Sequence, residues 1–228
     1  MKVRIHLIKI MLISLIISTI PQKSFSQSIQ FGLYAEPLIS WFSSDTEVTV
    51  NDGARPGFAF GLTLDRYFAS NYAFSTGISI VNTSGRLNYS DTLLIRLKNS
   101  QTELYAGDNI TYKLRYLAVP LGVKLKTNQI GYMTFFANAA MSPKVLISGK
   151  GDIPSQNIEN ESITEELKIF NLGYNITLGA EYSLGGSTSI AFGVAYEDNF
   201  LDVTKDNNGQ PSDKISNRII RFRIGLNF

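Results

Sequence analysis

A chain of 228 residues with 44% hydrophobic and only 18% charged residues is poorer in charge than a soluble domain, where about a quarter of residues are charged. It contains no cysteine, a single histidine, 18 glycines and 11% aromatics, a mixture that suits turn-linked strands and excludes disulfide staples and thiolate metal sites. The formal charge of +2 comes from the first segment, so it supplies no basic patch for nucleic acid.

That first segment reads as a secretory signal peptide. Lys2, Arg4 and Lys9 form a basic start, and Ile10 to Ile20 an apolar stretch too short to span a membrane as a helix. Ser24 and Ser26 put small residues at the −3 and −1 positions of a cleavage site before Gln27. Residues 1–26 are thus predicted to be removed, leaving residues 27–228 as one domain. No cysteine follows the site, so a lipoprotein anchor is excluded. Four of the 21 basic residues and none of the 19 acidic ones lie in the segment, so the remaining chain is slightly acidic. The only histidine, His6, lies there too. Without His or Cys, the mature chain has no imidazole or thiolate metal site, no Cys nucleophile and no Ser-His-Asp triad. A non-enzymatic protein with no cofactor is expected.

The rest of the chain alternates with period two, as strands do. A first strand, Ile29 to Phe42, sets Phe31, Leu33, Ala35, Ile39 and Trp41 against Gly32, Tyr34, Glu36 and Ser40. A second, Gly57 to Phe68, sets Phe58, Phe60, Leu62, Leu64 and Phe68 against Ala59, Gly61, Thr63 and Asp65. A third, Tyr72 to Tyr89, alternates clearly at first and weakly at its end. A fourth, Ile110 to Lys126, carries Gly122, Lys124 and Lys126 on its polar parity, and Pro120 predicts a bulge or bend within it. The fifth, Gly131 to Ser148, has the least certain parity. The sixth (Leu167 to Tyr182), seventh (Thr188 to Phe200) and eighth (Asn217 to Phe228) again alternate, with Glu181, Glu197, Arg221 and Arg223 on their polar sides.

Connections alternate between tight turns, at Ala69-Ser70-Asn71, Thr127-Asn128-Gln129 and Leu184-Gly185-Gly186-Ser187, and long polar links near 43–56, 90–109, 149–166 and 201–216. Short periplasmic turns and long external loops are the pattern of outer-membrane barrels. Three short and four long links, with both chain ends on one side, require eight strands. The predicted fold is all-β: an eight-stranded antiparallel up-and-down transmembrane β-barrel, preceded by a signal peptide. A soluble lipocalin-like barrel would reverse inside and outside. The polar parity here is rich in Gly, Ala and Ser, which suits a crowded lumen instead.

Three features together resemble a known family: the Phe25-Ser26-Gln27 cleavage site, the run Tyr116-Leu117-Ala118-Val119-Pro120-Leu121-Gly122-Val123-Lys124, and the end Arg221-Phe222-Arg223-Ile224-Gly225-Leu226-Asn227-Phe228. They look like the Bacteroidetes outer-membrane β-barrel family that includes PorT-like proteins, loosely labelled "porin family". The resemblance implies an outer-membrane location, and in one branch a link to type IX secretion. It also implies that the closing Phe228 serves as a signal to the barrel insertion machinery.

The polar parity carries Glu36, Asp65, Lys124, Glu181, Glu197, Arg221 and Arg223. A lumen of eight strands has room for little but side chains. Charges there are costly unless paired, so a structural ion network is expected, with an arginine of the last strand on Glu36. That network is expected to fill the lumen, and Trp41, Phe42, Tyr67, Phe68, Tyr72, Tyr132, Tyr182 and Phe228 to form aromatic girdles. Leu93-Leu94-Ile95-Arg96-Leu97 is expected to extend a strand above the membrane. Asp152, Glu159, Glu161, Glu165 and Glu166 read as a solvated acidic loop, with calcium binding the lesser alternative. Expected partners are outer-membrane lipid and lipopolysaccharide, the insertion machinery, and secretion or other envelope proteins. The function expected is structural or interactive, through the loops or by docking; the alternative is a narrow channel or a secretion accessory.

Overall fold

The computed structural model describes residues 29–97, 101–205 and 213–228. The expected signal peptide and its cleavage site lie outside the described residues. The described residues form twelve strands: β1 (Ile29–Ser44), β2 (Thr49–Ala69), β3 (Tyr72–Tyr89), β4 (Leu93–Arg96), β5 (Gln101–Leu104), β6 (Asn109–Ala118), β7 (Leu121–Lys126), β8 (Met133–Ile153), β9 (Ile158–Ser162), β10 (Phe170–Gly185), β11 (Thr188–Asn199) and β12 (Ile215–Asn227). β6 and β7 make one stave, since both pair with β3 on one side and β8 on the other. The break between them falls at Val119-Pro120, where proline has no N–H for the ladder. Val119 keeps the seam closed by donating its N–H to the Pro143 carbonyl at 3.1 Å.

The staves run β1-β2-β3-β6/β7-β8-β10-β11-β12, and β12 pairs back onto β1 to close a ring of eight antiparallel staves. Phe31 and Phe228 exchange two backbone hydrogen bonds of 2.9 Å at that seam. The first and last strands therefore leave no open edge, which hydrocarbon would not tolerate.

β2 and β8 are 21 residues each, about twice the 9–11 residues that a strand needs to cross a bilayer. The extra length lies at the long-loop end, inside stretches that the sequence pattern assigns to loops. β3 shows what happens there. Near its short-turn end Phe74 and Ile78 face outward at 59% and 46% exposure, while Ser75 and Ser79 are buried. From Val81 onward the sense reverses: Val81, Leu87 and Tyr89 are buried inside, and Asn82, Ser84, Arg86 and Asn88 lie on the outer parity. The physical cause is the medium. Facing lipid, the outer row must be apolar; beyond the lipid, the outer row meets water and the core becomes that of a soluble barrel. The weak alternation at the end of the third strand is this change of phase.

The expectation of a polar interior thus holds for the short-turn half alone. Leu38, Phe42, Val81, Leu87, Leu114, Leu146 and Ile219 fill the other half as one apolar cluster. The Leu93–Leu97 stretch joins it. β4 pairs with β5 as a separate hairpin, and Leu93, Ile95, Leu97 and Leu104 are buried in that cluster.

Candidate functional site

All seven charged residues singled out from the sequence lie on the inner wall, in two groups. Nearer the short turns, Lys124 on β7 places Nζ 2.7 Å from Asp65 of β2 and 2.8 Å from Glu181 of β10. Lys126 holds the other oxygen of Glu181 at 2.6 Å. The Ser75 hydroxyl donates to Asp65 at 2.6 Å. Aromatic faces complete the setting, with Lys124 4.9 Å above the Phe136 ring and Lys126 5.1 Å above Tyr67.

Further in, Arg223 of β12 donates from Nε to Glu36 of β1 at 2.6 Å, and Arg221 stands 3.6 Å from the same carboxylate. The register that pairs Leu38 with Arg221 and Ala35 with Ile224 brings these groups together. Arg221 also pairs with Glu197 of β11, whose other oxygen takes Lys144 of β8. Lys144 additionally donates to Asn199 at 3.0 Å. The Glu36 and Glu197 side chains are wholly buried. Between the two groups lies a cavity of about 20 Å³ lined by Asp65, Lys124, Asn138 and Arg223, the size of a single water.

Sequence reasoning missed Lys144. The parity of the fifth strand was the uncertain one, and Lys144 shares its inward side with Asn138 and Ser142. The signal was present as an imbalance, because four acids in a lumen called for more than three bases. Lys126 and Lys144 bring the bases to five.

Two expected girdle residues are corrected. Phe42 shares the parity of Ser40, so it points inward and is 1% exposed. Tyr67 likewise turns in and donates its hydroxyl to Gln30 at 3.0 Å. At the short-turn end Phe68 with Tyr72, Tyr132 with Tyr182, and Phe31 with Phe228 remain as exposed aromatic pairs, with centroids 6.2, 5.9 and 6.4 Å apart. Glu166 also departs from expectation. It is buried, and its carboxylate accepts the Arg96 backbone N–H at 2.8 Å, which ties the β4–β5 hairpin down.

The lumen is therefore shut twice. Among the described residues the ion layer crosses the bore, and above it the apolar cluster packs it. Within that cluster the Tyr89 and Tyr112 hydroxyls meet at 2.8 Å, and Phe42 packs edge-on against Tyr112 at 5.7 Å. On the opposite side of the ion layer a polar cup of about 410 Å³ opens at the short turns, lined by Gln30, Tyr67, Asn71, Lys126, Thr134 and Glu181. A larger hollow, about 840 Å³, lies on the outer wall among Leu33, Ala35, Phe60, Leu62 and Ile224, and belongs to the lipid boundary.

Burial pushes the Tyr89 and Tyr112 phenols well above their ordinary pKa, and the nearby Glu166 and Asp213 carboxylates push the same way. An unfolded chain ionises these phenols near pH 10, whereas the fold keeps them neutral. Their contribution to stability is thus complete below about pH 10 and drains away as pH climbs above it. A phenolate absorbance titration should show late-ionising tyrosines in the folded barrel, with loss of resistance to heat in the same pH range. Ionisation of all 11 tyrosines together near the ordinary value would contradict this.

A closed ring with a lipid-facing apolar exterior and an ion-filled lumen defines a small outer-membrane β-barrel. The chain belongs to the family "Outer membrane protein beta-barrel domain", which it matches over residues 23–226. Its location is accordingly the outer membrane. Among solved structures it is similar to Neisserial surface protein A (NspA), at 11% identity, covering 87% of this chain and 95% of that one, with a TM-score of 0.50. It also matches OprG of Pseudomonas aeruginosa, at 14% identity over 89% and 97% of the two chains and a TM-score of 0.49. The attachment invasion locus protein Ail of Yersinia pestis matches at 10% identity over 88% and 99%, with a TM-score of 0.45. At such identities the likeness is one of fold. No curated protein sequence matches the chain.

Proposed function

We propose that the protein is a non-enzymatic barrel that acts as a structural or interaction module, through its long-loop end or its polar cup, and does not conduct solutes. The observation that carries this reading is the double closure of the lumen. Glu36, Arg221, Glu197 and Lys144 bridge the bore from four staves, and the apolar cluster seals it above. The inner carboxylates are engaged by cations, which is in keeping with a structural role for them. Phe228, exposed and stacked on Phe31, is suited to act as the insertion signal. In planar bilayers the protein is expected to give no steady single-channel steps; reproducible unitary currents would overturn the reading.

A second reading is favoured by the Tyr116–Lys124 run and by the cup at the short-turn end. It is an accessory of type IX-like secretion in a PorT-like barrel, docking a periplasmic partner in the cup. A pull-down from native membranes that retrieves secretion components would favour it, and a barrel that purifies alone in mild detergent would count against it.

A further inference from the structure

We propose that the outer face of β3, β6 and β8, just beyond the apolar belt, binds a phosphate of the phosphorylated lipid headgroups of the outer leaflet. On β3 and β6 the belt ends there at Ile80 and Leu117, whose pairing row continues to Val145 and Phe170, while on β8 the exposed Ile147 carries it one step further. The next outward row is Asn82–Arg115–Ser148, and the one after it Ser84–Lys113–Lys150. Polar groups thus begin within one step of the hydrocarbon boundary. With the short turns in the periplasm, this boundary lies in the outer leaflet.

The charges in these rows do not balance. Among the described residues the exposed Arg115 spends only its Nε, donated to Asn82 Oδ1 at 2.8 Å. Among the described residues no carboxylate lies within ion-pair distance of Arg115 or of the exposed Lys150. Lys113 shares Asp152 at 2.5 Å. Three cations therefore face one acid. Elsewhere on this rim Arg218 stands beside Asp198 at 3.3 Å and Lys168 beside Asp202 at 2.8 Å, and on β3 itself Arg86 stands beside Asp52 at 3.5 Å. The acidic residues Glu159 and Glu161 sit on β9, which pairs with β8 from Lys150 outward, farther from the lipid than Arg115. The free end of the Arg115 guanidinium is a planar fork that matches phosphate. Directly opposed side chains on neighbouring strands are about 4.5–5.5 Å apart, so one phosphate reaches Arg115 together with a group on the next stave. The lipid's acyl chains would then lie along the Leu117 row. A headgroup anchored at both its charged and its apolar part fits this step, and a soluble anion uses only half of it.

The test uses the refolded barrel in detergent micelles containing either diphosphorylated lipid A or the same lipid with its phosphates removed, read by native mass spectrometry. The phosphorylated form should be retained in preference. Arg115→Ala with Lys150→Ala should weaken that retention about tenfold or more, the effect of losing charge-assisted bonds. Arg115→Lys should fall between, and Arg218→Ala, on the balanced side, should leave it unchanged. An unchanged heat-resistant gel mobility would show that each variant is folded. Equal retention of both lipid forms would overturn the proposal. So would a loss in Arg218→Ala as large as that in the variant carrying both Arg115→Ala and Lys150→Ala. Displacement of the lipid by equimolar inorganic phosphate would overturn it as well, marking a free-anion site.

Discussion

Glu197→Gln should destabilise the barrel by about 3–5 kcal/mol, the scale for removing one partner of a buried ion pair. Glu197 is fully buried and serves two cations at once, Lys144 and Arg221. The inner group already holds three cations, Lys144, Arg221 and Arg223, against the two carboxylates of Glu36 and Glu197. Part of the excess is spread onto aromatic faces, since Arg223 lies 4.2 Å from the Tyr34 ring and Lys144 5.9 Å from Tyr116. Neutralising Glu197 would leave three positive groups on one carboxylate in a medium that penalises each unpaired ion. Lys144→Met acts in the opposite sense. It brings the group to two against two, and Arg221 keeps Glu197 occupied. Urea unfolding in micelles should therefore rank Glu197→Gln as far more costly than Lys144→Met. Equal costs would mean that packing, rather than charge balance, governs this layer.

The same layer shows how much could be read from residues alone. A period-two pattern assigns Glu36, Asp65, Glu181 and Arg221 to one wall, because in a strand they share parity with glycine and serine, not with the large apolar residues. Alternating link lengths assign the order of the staves. Lys144 escaped for a local reason. In β8 the neighbours Ala137, Ala139 and Ala140 are small on both faces, so parity has little contrast there. The apolar plug escaped for a deeper one. Alternation gives the two faces of a strand but not which of them meets lipid, water or core. The assignment of apolar to outside is valid only over the lipid-embedded length, and the strands continue beyond it. Val81 and Asn82 mark that crossing in β3, where the apolar role passes from the outer to the inner row with no break in the pattern. Phe42 reads as a girdle aromatic only from its place near a strand end; its parity with Ser40 turns it inward, and past the crossing an inward aromatic is ordinary core.

Phe42 is also where the plug is most sharply specified. Its ring is 1% exposed, lies edge-on to Tyr112, and rests over Gly85 of β3, where an added Cβ would collide with the ring. The glycine is needed here for space and not for backbone freedom. Phe42→Ala should cost about 3–5 kcal/mol, the range for deleting a buried aromatic ring. Gly85→Ala should cost about 1–3 kcal/mol, because the ring must move within packed surroundings. The two residues share one volume, so their effects should not add. In the double variant the new methyl enters the hole left by the ring, and the coupling should offset the single losses by about 0.5–3 kcal/mol. Guanidinium unfolding of the four proteins in one detergent measures this cycle. Strict additivity would mean that Gly85 and Phe42 do not press on each other, and the account of the long-loop seal as a close-packed core would fail with it.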